Sequence, residues 1–371
     1  MIEYVDPASG QSFPLSEPRW CGEGRAPLML SALPGIGRAQ VIGGERSLWR
    51  YRAALPFDAE AISMGEGCTP LLRRALHGAE VHLKCEWFMP TGSFKDRGAS
   101  VMLSLLRAQG VREVLEDSSG NGGAAVAAYA AAGGMRATIM APASTSPAKT
   151  VQMRAHGAAV ELVPGTRQDT ADAAVRRAEQ VFYASHNWHP FFLQGTKTLA
   201  YELWEDLGFR APDHVIIPCG AGSNVLGCAI GFAELVRAGE IERGPKLWAA
   251  QPAHCGPIAA AALGVAAGPV RPTIAEGTAI AAPVRQAAVV EALARSGGGG
   301  VLVSEAEIAA SVLDLARAGI YVEPTCAQAA SALAQLLEGG AIGRDEVTVL
   351  VLTGTGLKAT PVLAGLLGVV L

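Results

Sequence analysis

Several features that would point to particular classes of protein are missing from this sequence. Its 371 residues contain no Cys-x-x-Cys pair, and the seven cysteines are scattered singly. Cys21 is the only cysteine among the first 60 residues, so a four-cysteine zinc site in that segment is excluded. No cluster of Lys or Arg forms a basic stripe, and the formal net charge is −4. We therefore expect no metal site, no nucleic-acid partner and a reducing compartment.

Targeting features and long uninterrupted apolar runs are missing as well. The N-terminus, MIEYVDPASG, has neither a basic region nor an apolar stretch of the signal-peptide kind. The apolar C-terminal stretch is broken by turn residues and by Lys358, so burial in a core explains it better than a membrane span. We expect a cytoplasmic protein without a membrane partner.

The composition and the order of apolar segments indicate a large α/β protein. Apolar residues make up 50% of the chain and aromatic residues only 6%, and 371 residues exceed the usual size of a single core, so two domains are expected. Alternation of strands and helices implies parallel sheets covered on both faces. Predicted strands cover 81–87, 112–117, 136–141, 160–163, 214–218, 246–251 and 347–352; predicted helices cover 94–109, 121–133, 147–156, 168–183, 196–207, 224–238, 305–318 and 325–338.

One loop that follows a strand, PTGSFKDRG, carries a lysine in an unfavourable place. Gly92 and Ser93 permit a tight turn, and the next helix directs the positive end of its dipole toward Lys95. A helix dipole and partial burial both favour the neutral amine that an imine-forming lysine needs. A surface lysine in a capped turn is the structural alternative.

Three other loops at strand ends are rich in small and polar residues. The segment 220–224 is typical of a phosphate-binding turn at a helix N-terminus, although a tight turn alone would also explain it. The segment 117–123 could bind the polar groups of a ligand or cap the next helix. Thr353 and Thr355 follow the last strand. Together with Lys95, these loops suggest a phosphorylated cofactor that takes an amine, and pyridoxal phosphate fits that description.

Six motifs occur in the order and at the spacing of the threonine synthase-like branch of the fold type II pyridoxal phosphate enzymes, also called the tryptophan synthase β superfamily. The resemblance covers about residues 62 to 360. It implies an α/β fold of two domains with twisted, mostly parallel sheets flanked by helices, a cofactor in the cleft between them, and a homodimer. The motifs are MGEGCTPL, PTGSFKDRG, SSGNGGAAVAAYAAAGG, IIPCGAGSNVLG, GIYVEPTCAQAASAL and VLTGTGLK.

The resemblance also implies a division of the chain. Residues 1–60 are rich in Gly, Pro and Arg, and this composition by itself predicts an irregular N-terminal extension, which has no zinc ligands. Residues 61–97 and 206–371 would form a large cofactor-binding domain. Residues 98–205 would form a smaller domain that carries the loop for the substrate carboxylate.

Individual residues take roles from the same resemblance. Lys95 resembles the Schiff-base lysine and catalytic base, Asn121 the residue that hydrogen-bonds the cofactor's O3′, and Thr353 the hydroxyl beside the pyridine nitrogen. The implied phosphate cradle is formed by Gly220, Ala221, Gly222, Ser223 and Asn224. The implied loop for the substrate carboxylate is formed by Ser118, Ser119, Asn121 and Gly122.

The sequence departs from the family's pattern where substrate is recognised. Gly122 stands where threonine synthases usually have Thr, and Phe192 stands where they have an Arg that grips the phosphate of phosphohomoserine. Loss of this clamp favours a substrate without phosphate. His186 and His189, in the same segment, are candidate substrate contacts, with packed or surface positions as the alternative.

We therefore expect a pyridoxal phosphate-dependent lyase that catalyses α,β-elimination, of the dehydratase or ammonia-lyase type, on a small polar amino acid. Threonine synthase, which couples γ-elimination from phosphohomoserine to β-replacement, is the first alternative. A β-replacement synthase is the second. A non-catalytic protein that only binds the cofactor is an alternative of another class.

Overall fold

The structure is a computed structural model that describes residues 2–370. The chain packs into two compact units. The first comprises the residues up to Gly67 together with Lys95–Thr198, and the second comprises Cys68–Phe94 together with the residues from Leu199 onward. The predicted division into an extension and two functional domains stays a prediction.

Thirteen strands lie within residues 2–370. They are β1 (Glu3–Val5), β2 (Ser12–Pro14), β3 (Met29–Leu30), β4 (Leu71–Leu76), β5 (Ala79–Cys85), β6 (Glu113–Asp117), β7 (Arg136–Pro142), β8 (Ala159–Val163), β9 (Phe182–Tyr183), β10 (His214–Pro218), β11 (Lys246–Pro252), β12 (Gly299–Val303) and β13 (Thr348–Leu352).

Twelve α-helices and six short 3₁₀ segments lie within the same part of the chain. The α-helices are α1 (Lys95–Ala108), α2 (Asn121–Ala132), α3 (Pro147–Ala155), α4 (Arg167–Arg177), α5 (Pro190–Thr196), α6 (Thr198–Asp206), α7 (Ser223–Arg237), α8 (Pro257–Ala262), α9 (Gln286–Ser296), α10 (Glu305–Arg317), α11 (Pro324–Glu338) and α12 (Thr360–Leu367). The 3₁₀ segments are Glu23–Arg25, Arg38–Gln40, Leu48–Ala54, Glu86–Phe88, Glu276–Thr278 and Gly356–Ala359.

The first unit is built on a four-stranded parallel sheet in the order β8, β7, β6, β9. Helices α2 and α4 pack on it. The small side chains of α2, most of them Ala, let this helix approach the strands closely. A separate antiparallel sheet in the order β2, β1, β3 contributes Tyr4 to the hydrophobic core that α1 and α2 share. The N-terminal residues are therefore part of this core.

The second unit is built on a six-stranded sheet in the order β12, β11, β10, β13, β5, β4. Every pairing in it is parallel except that of β4 with β5. All residues of β10 and β13 are buried, as expected for central strands covered on both faces. The predicted α/β fold with mostly parallel sheets flanked by helices is confirmed.

Some elements differ from the predictions. Residues 1–60 contain β1 to β3 instead of being wholly irregular, and the helix predicted over 168–183 ends at Arg177, before β9. Strands β4 and β12 were not predicted. β4 contains two arginines and β12 begins with two glycines, so neither has the continuous apolar run typical of a buried parallel strand.

Candidate active site

Lys95 is the first residue of α1, and the turn before it is held by the loop that follows β13. In the second unit, the amide of Phe94 donates to the carbonyl of Thr353 at 3.0 Å, and the amide of Thr355 donates to the carbonyl of Gly92 at 3.0 Å. Gly92 has a φ of 81°, a left-handed value that favours glycine. The loop directly before Lys95 is thus held by two hydrogen bonds to the loop that follows β13. The sequence motifs had identified these two loops separately.

In the first unit, the amine of Lys95 lies beside an aromatic ring. Its Nζ atom is 5.6 Å from the ring centre of Phe192, which is fully buried. A Cβ atom on Gly98 would overlap this ring. The absence of a side chain at position 98 therefore makes room for Phe192 one turn along α1 from Lys95.

The predicted loop for the substrate carboxylate lies at the start of α2. Gly120 is the N-cap residue, and in the part of the chain that the structure describes no side chain caps this helix. The hydroxyl of Ser118 instead accepts a hydrogen bond from the amide of Gly120 at 3.3 Å. Of the two interpretations of this loop, the geometry supports ligand binding better than capping, because the first turn of a helix presents N–H groups to an anion.

His186 lies against the same loop. A Cβ atom on Gly122 would be 2.8 Å from both the Cε1 and the Nδ1 atoms of His186. The Nδ1 atom lies 2.7 Å from Oε1 of Glu116, and the backbone amide of His186 donates to Oε2 of Glu116 at 2.9 Å. The imidazole is thereby held by one carboxyl group on β6 and placed directly beside Gly122.

Burial is the main influence on the pKa values of Glu116, His186 and Asp117. Burial raises the pKa of Glu116 to about 7, with the amide of His186 and the charge of Lys95 acting in the opposite direction. Burial, followed by the charge of Lys95, holds the pKa of His186 well below its usual range. Burial and the neighbouring Glu116 raise the pKa of Asp117, whose carboxylate accepts a hydrogen bond from Tyr183 at 2.5 Å. Burial therefore favours the neutral form of His186, and the carboxyl group of Glu116 titrates near neutral pH.

His189 has a different environment. It is the N-cap residue of α5, where its Nδ1 atom accepts a hydrogen bond from the amide of Phe191 at 3.2 Å. The rings of Tyr4, Phe182 and Phe191 pack around it. These contacts explain His189 as a capping residue in an aromatic core, and its predicted contact with substrate stays a prediction.

In the second unit, the glycine-rich loop 220–224 leads into α7 through a glycine in the left-handed conformation. Gly222 is the N-cap of α7 with a φ of 89°, and a Cβ atom there would overlap the side chain of Val289. Within the described residues, the helix has no side-chain cap. Gln251 fixes the turn, since its Nε2 atom donates to the carbonyl of Cys219 at 2.9 Å and its Oε1 atom accepts from the amide of Ala259 at 2.8 Å.

Asn224 provides a test of whether this loop fits a polar ligand. Both polar atoms of its side chain are buried and have no hydrogen-bond partner among residues 2–370. Leaving a buried amide unsatisfied costs free energy, so such groups usually mark a missing ligand or water. Together with the open N-terminus of α7, the side chain fits a bound phosphate group.

Thr353 follows β13 in the second unit and is buried beside residues that sequence reasoning did not assign to the site. The Sγ atom of Cys326 lies 3.5 Å from its hydroxyl and donates to the carbonyl of Gly354 at 3.1 Å. Burial raises the pKa of Cys326, so its thiol stays protonated. Glu323 is the N-cap residue of α11 but its side chain does not cap that helix; the carboxylate lies where a Cβ atom on Gly354 would be. Glu323 and Cys326 both lie in the motif GIYVEPTCAQAASAL, which is the sequence signal for them.

Loops of this kind, at the carboxyl ends of parallel strands, are where α/β enzymes hold phosphorylated cofactors. A lysine in one of these loops, with a turn that fits a phosphate in another, is the combination expected of an enzyme whose cofactor bonds to an amine. The chain belongs to the family of pyridoxal-phosphate dependent enzymes, whose family model matches residues 62–354. The predicted family and the predicted cofactor, pyridoxal phosphate, are confirmed.

Individual relatives narrow this assignment. The chain is 36% identical over 328 residues to the threonine synthase of Methanocaldococcus jannaschii, covering 85% of this chain and 81% of that protein. It is 34% identical over 326 residues to the threonine synthase of Methanosarcina acetivorans, covering 84% of this chain and 80% of that protein. A solved structure of an L-serine ammonia-lyase from Rhizomucor miehei superimposes with a TM-score of 0.72 at 22% identity, covering 83% of this chain and 99% of that one, and shows the shared fold. The protein is a pyridoxal phosphate-dependent enzyme similar to threonine synthases.

Two further properties concern ligands and membranes. In the described part of the chain, no group of three or more His, Cys, Asp and Glu side chains could hold a metal ion. None of the helices within residues 2–370 has the length and apolar character needed to cross a membrane. The predicted homodimer stays a prediction.

Proposed function

We propose that the protein eliminates a leaving group from the β-carbon of a small polar amino acid, and that this leaving group carries no phosphate. The observation that carries the proposal is the fully buried ring of Phe192, 5.6 Å from the amine of Lys95. The family's phosphate-gripping arginine corresponds to this position. A phosphate dianion placed against an aromatic ring would lose hydration without gaining a charged hydrogen-bond partner.

The residues that would hold pyridoxal phosphate are those implied by the motifs. Lys95 would hold it covalently, Asn121 would bind its O3′ atom, and Thr353 would face its ring nitrogen. The loop Gly220–Asn224 would bind its phosphate through backbone N–H groups and the side chain of Asn224. When bound, the cofactor supplies an electron sink for the carbon that carries the substrate's amino group.

The chain's own residues would perform the remaining steps. Ser118, Ser119 and the first N–H groups of α2 would bind the substrate carboxylate, since a helix N-terminus attracts an anion. The amine of Lys95 would accept the proton from the substrate's α-carbon. The buried ring of Phe192 would exclude water from the amine, because the ring fills the space beside it.

Threonine synthase is the second candidate, and sequence similarity supports it better than it supports the α,β-eliminating lyase. Both curated relatives described above are threonine synthases and align with more than four-fifths of this chain. In this alternative the substrate is phosphohomoserine, and a cationic group other than residue 192 has to bind its phosphate. A β-replacement synthase would use the same first steps with an external nucleophile.

One substrate panel separates these candidates. Purified protein loaded with pyridoxal phosphate is incubated with serine, threonine, 3-hydroxyaspartate, diaminopropionate and phosphohomoserine. Keto acid, ammonia and phosphate are measured for every substrate, and threonine is measured for phosphohomoserine. Keto acid and ammonia from a substrate without phosphate is the expected result. Release of phosphate together with threonine formation would establish the second candidate instead.

The variant Lys95→Ala is the matched control for this panel. It should lose turnover of every substrate and the visible absorbance of the bound cofactor. Retention of the absorbance by the wild type without turnover of any substrate would support a protein that only binds the cofactor.

A further inference from the structure

The strongest unexplained feature of the first unit is a fully buried carboxyl group, Glu116, that sits next to a histidine and has no role in the proposed steps. Its side chain is 0% exposed, and that of His186 is 6% exposed. The two residues are 70 positions apart in sequence. A buried acid joined to a buried imidazole costs free energy unless the pair shares a proton, so the arrangement calls for an explanation beyond packing.

Two hydrogen bonds between Glu116 and His186 fix the orientation of the carboxyl group relative to the imidazole. Oε2 of Glu116 accepts from the backbone amide of His186 at 2.9 Å, which leaves Oε1 to face the Nδ1 atom at 2.7 Å. Within the described residues, the hydrogen bonds of His186 to Glu116 use its backbone amide and its Nδ1 atom, not Nε2. Nε2 is bonded to Cε1, which would lie 2.8 Å from a Cβ atom on Gly122. The edge of the imidazole that carries Cε1 therefore lies beside Gly122, near the start of α2, where the substrate carboxylate is proposed to bind.

We propose that Glu116 and His186 form a proton relay in which Glu116 supplies Nδ1 of His186 with a proton as Nε2 of His186 gives one to the leaving group. This deepens the proposed function and rests on it for the identity of the proton acceptor. Before the step, the carboxyl group of Glu116 carries a proton directed at Nδ1, and Nε2 carries the other. After the step, Glu116 is a carboxylate, Nδ1 carries the proton, and the leaving group departs neutral.

The relay keeps the imidazole neutral throughout, which suits its environment. The charged groups that act on the pair are Lys95 at the start of α1, Arg167 at the start of α4, and Asp117 next to Glu116 on β6. Two cations and burial disfavour an imidazolium, whereas transfer along the relay moves a negative charge to Glu116 and never charges the ring. The pKa of Glu116, raised to about 7 by burial, makes its proton available near neutral pH.

The absence of a side chain at Gly122 makes room for the imidazole of the proposed relay. His186 occupies the space that a side chain at position 122 would need. A threonine there, as in the family's usual pattern, would displace the ring from the loop. The departure from the family's pattern at Gly122 is thus explained by the presence of the imidazole.

The relay predicts a change of tautomer that can be observed directly by NMR. The full-length, cofactor-loaded protein is labelled with nitrogen-15 at histidine, and the signal of His186 is the one missing from the spectrum of His186→Asn. Below about pH 6, with Glu116 protonated, the ring should carry its proton on Nε2; above about pH 8 it should carry it on Nδ1. A constant tautomer across this range, or an imidazolium at low pH, would overturn the relay.

The variant Glu116→Gln tests whether Glu116 is the group that supplies the proton to Nδ1 of His186. Its amide oxygen can still accept from the amide of His186, so its NH₂ group faces Nδ1 and should lock the Nε2–H tautomer at every pH. Persistence of the pH-dependent tautomer change in this variant would rule out Glu116 as the proton source. In the control Asp117→Asn, which alters the neighbouring carboxylate, the midpoint should move while the tautomer change remains.

Kinetics separate the relay from the proposed function. Glu116→Gln cannot reload Nδ1 with a proton, so kcat should fall by about 100-fold while KM changes little. If the wild type turns over none of the panel substrates, the proposed elimination fails but the tautomer measurement still decides the relay. An active wild type with an unchanged kcat in Glu116→Gln would instead refute the relay and leave the elimination standing.

Discussion

The imidazole of His186 occupies the space above Gly122, with its Cε1 and Nδ1 atoms 2.8 Å from the point where a Cβ atom would lie. This contact joins Gly122 to the segment that contains Phe192, and Gly122 and Phe192 are the two positions at which the sequence departs from the threonine synthase pattern. Neither Gly122 nor His186 can be changed alone without affecting the other, because the ring and a side chain at position 122 compete for one space.

The variant Gly122→Thr should therefore be destabilised by about 1–3 kcal/mol, since the new side chain has to push the buried ring aside. Urea unfolding measures this loss. The double variant Gly122→Thr with His186→Ala should recover much of it, as contacting residues are not additive. Gly120→Ala is the control, because nothing lies within 4 Å of a Cβ atom there. Additive losses in the double variant would show that the two residues do not compete.

The variant Gly222→Ala should weaken both folding and cofactor binding. Gly222 has a φ of 89° and no room for a Cβ atom beside Val289, so about 1–3 kcal/mol of stability should be lost. Because the same turn is proposed to bind phosphate, the dissociation constant of pyridoxal phosphate should rise, as followed by absorbance titration. Gly208→Ala shares the positive φ, 72°, but has open space around it. The control should lose some stability and keep its affinity for the cofactor; equal affinity in Gly222→Ala would count against a phosphate site at this loop.

The variant Lys84→Met should be strongly destabilised. In the second unit, Nζ of the fully buried Lys84 lies 2.6 Å from carboxylate oxygens of Glu202 and Asp206. Removing the lysine leaves the buried Glu202 without this charge partner, at a cost of about 3–5 kcal/mol. The exposed pair of Arg317 with Asp314, at 3.0 Å, provides the control. Arg317→Met should lose less than about 1 kcal/mol in the same urea titration, and comparable losses would contradict the importance of burial.

The variant Glu116→Gln should change how stability depends on pH. Burial raises the pKa of Glu116 from 4.5 to about 7, so the folded state holds this proton more tightly than the unfolded state. The corresponding stabilisation is complete below pH 4.5 and is lost as the pH rises through 7. Glutamine has no such proton. The free energy of unfolding of the wild type, relative to the variant, should therefore fall by roughly 3 kcal/mol as the pH rises across this interval. A difference that does not vary with pH would mean that Glu116 is ionised throughout.

Much of the fold was predictable because its strongest signals are local. The apolar strand His214–Pro218 and the helix that begins at Ser223 were both expected within a residue or two of their bounds, since buried parallel strands are short apolar runs punctuated by glycine. Edge strands such as Leu71–Leu76 were missed. Half of that strand is exposed, and its hydrophobic pattern is correspondingly weak.

The candidate site likewise has features that the sequence predicts and features that only the tertiary structure decides. Sequence alone determined that Lys95 begins a helix after a strand and that Gly222 starts another, because turn chemistry and helix starts depend on a few adjacent residues. Only the tertiary structure decided that Glu116 holds His186 across 70 residues, that this ring lies over Gly122, and that Cys326 lies beside Thr353. Such pairings depend on how strands and helices pack in space, and no short-range pattern of residues encodes the distance between two side chains that the chain brings together only on folding.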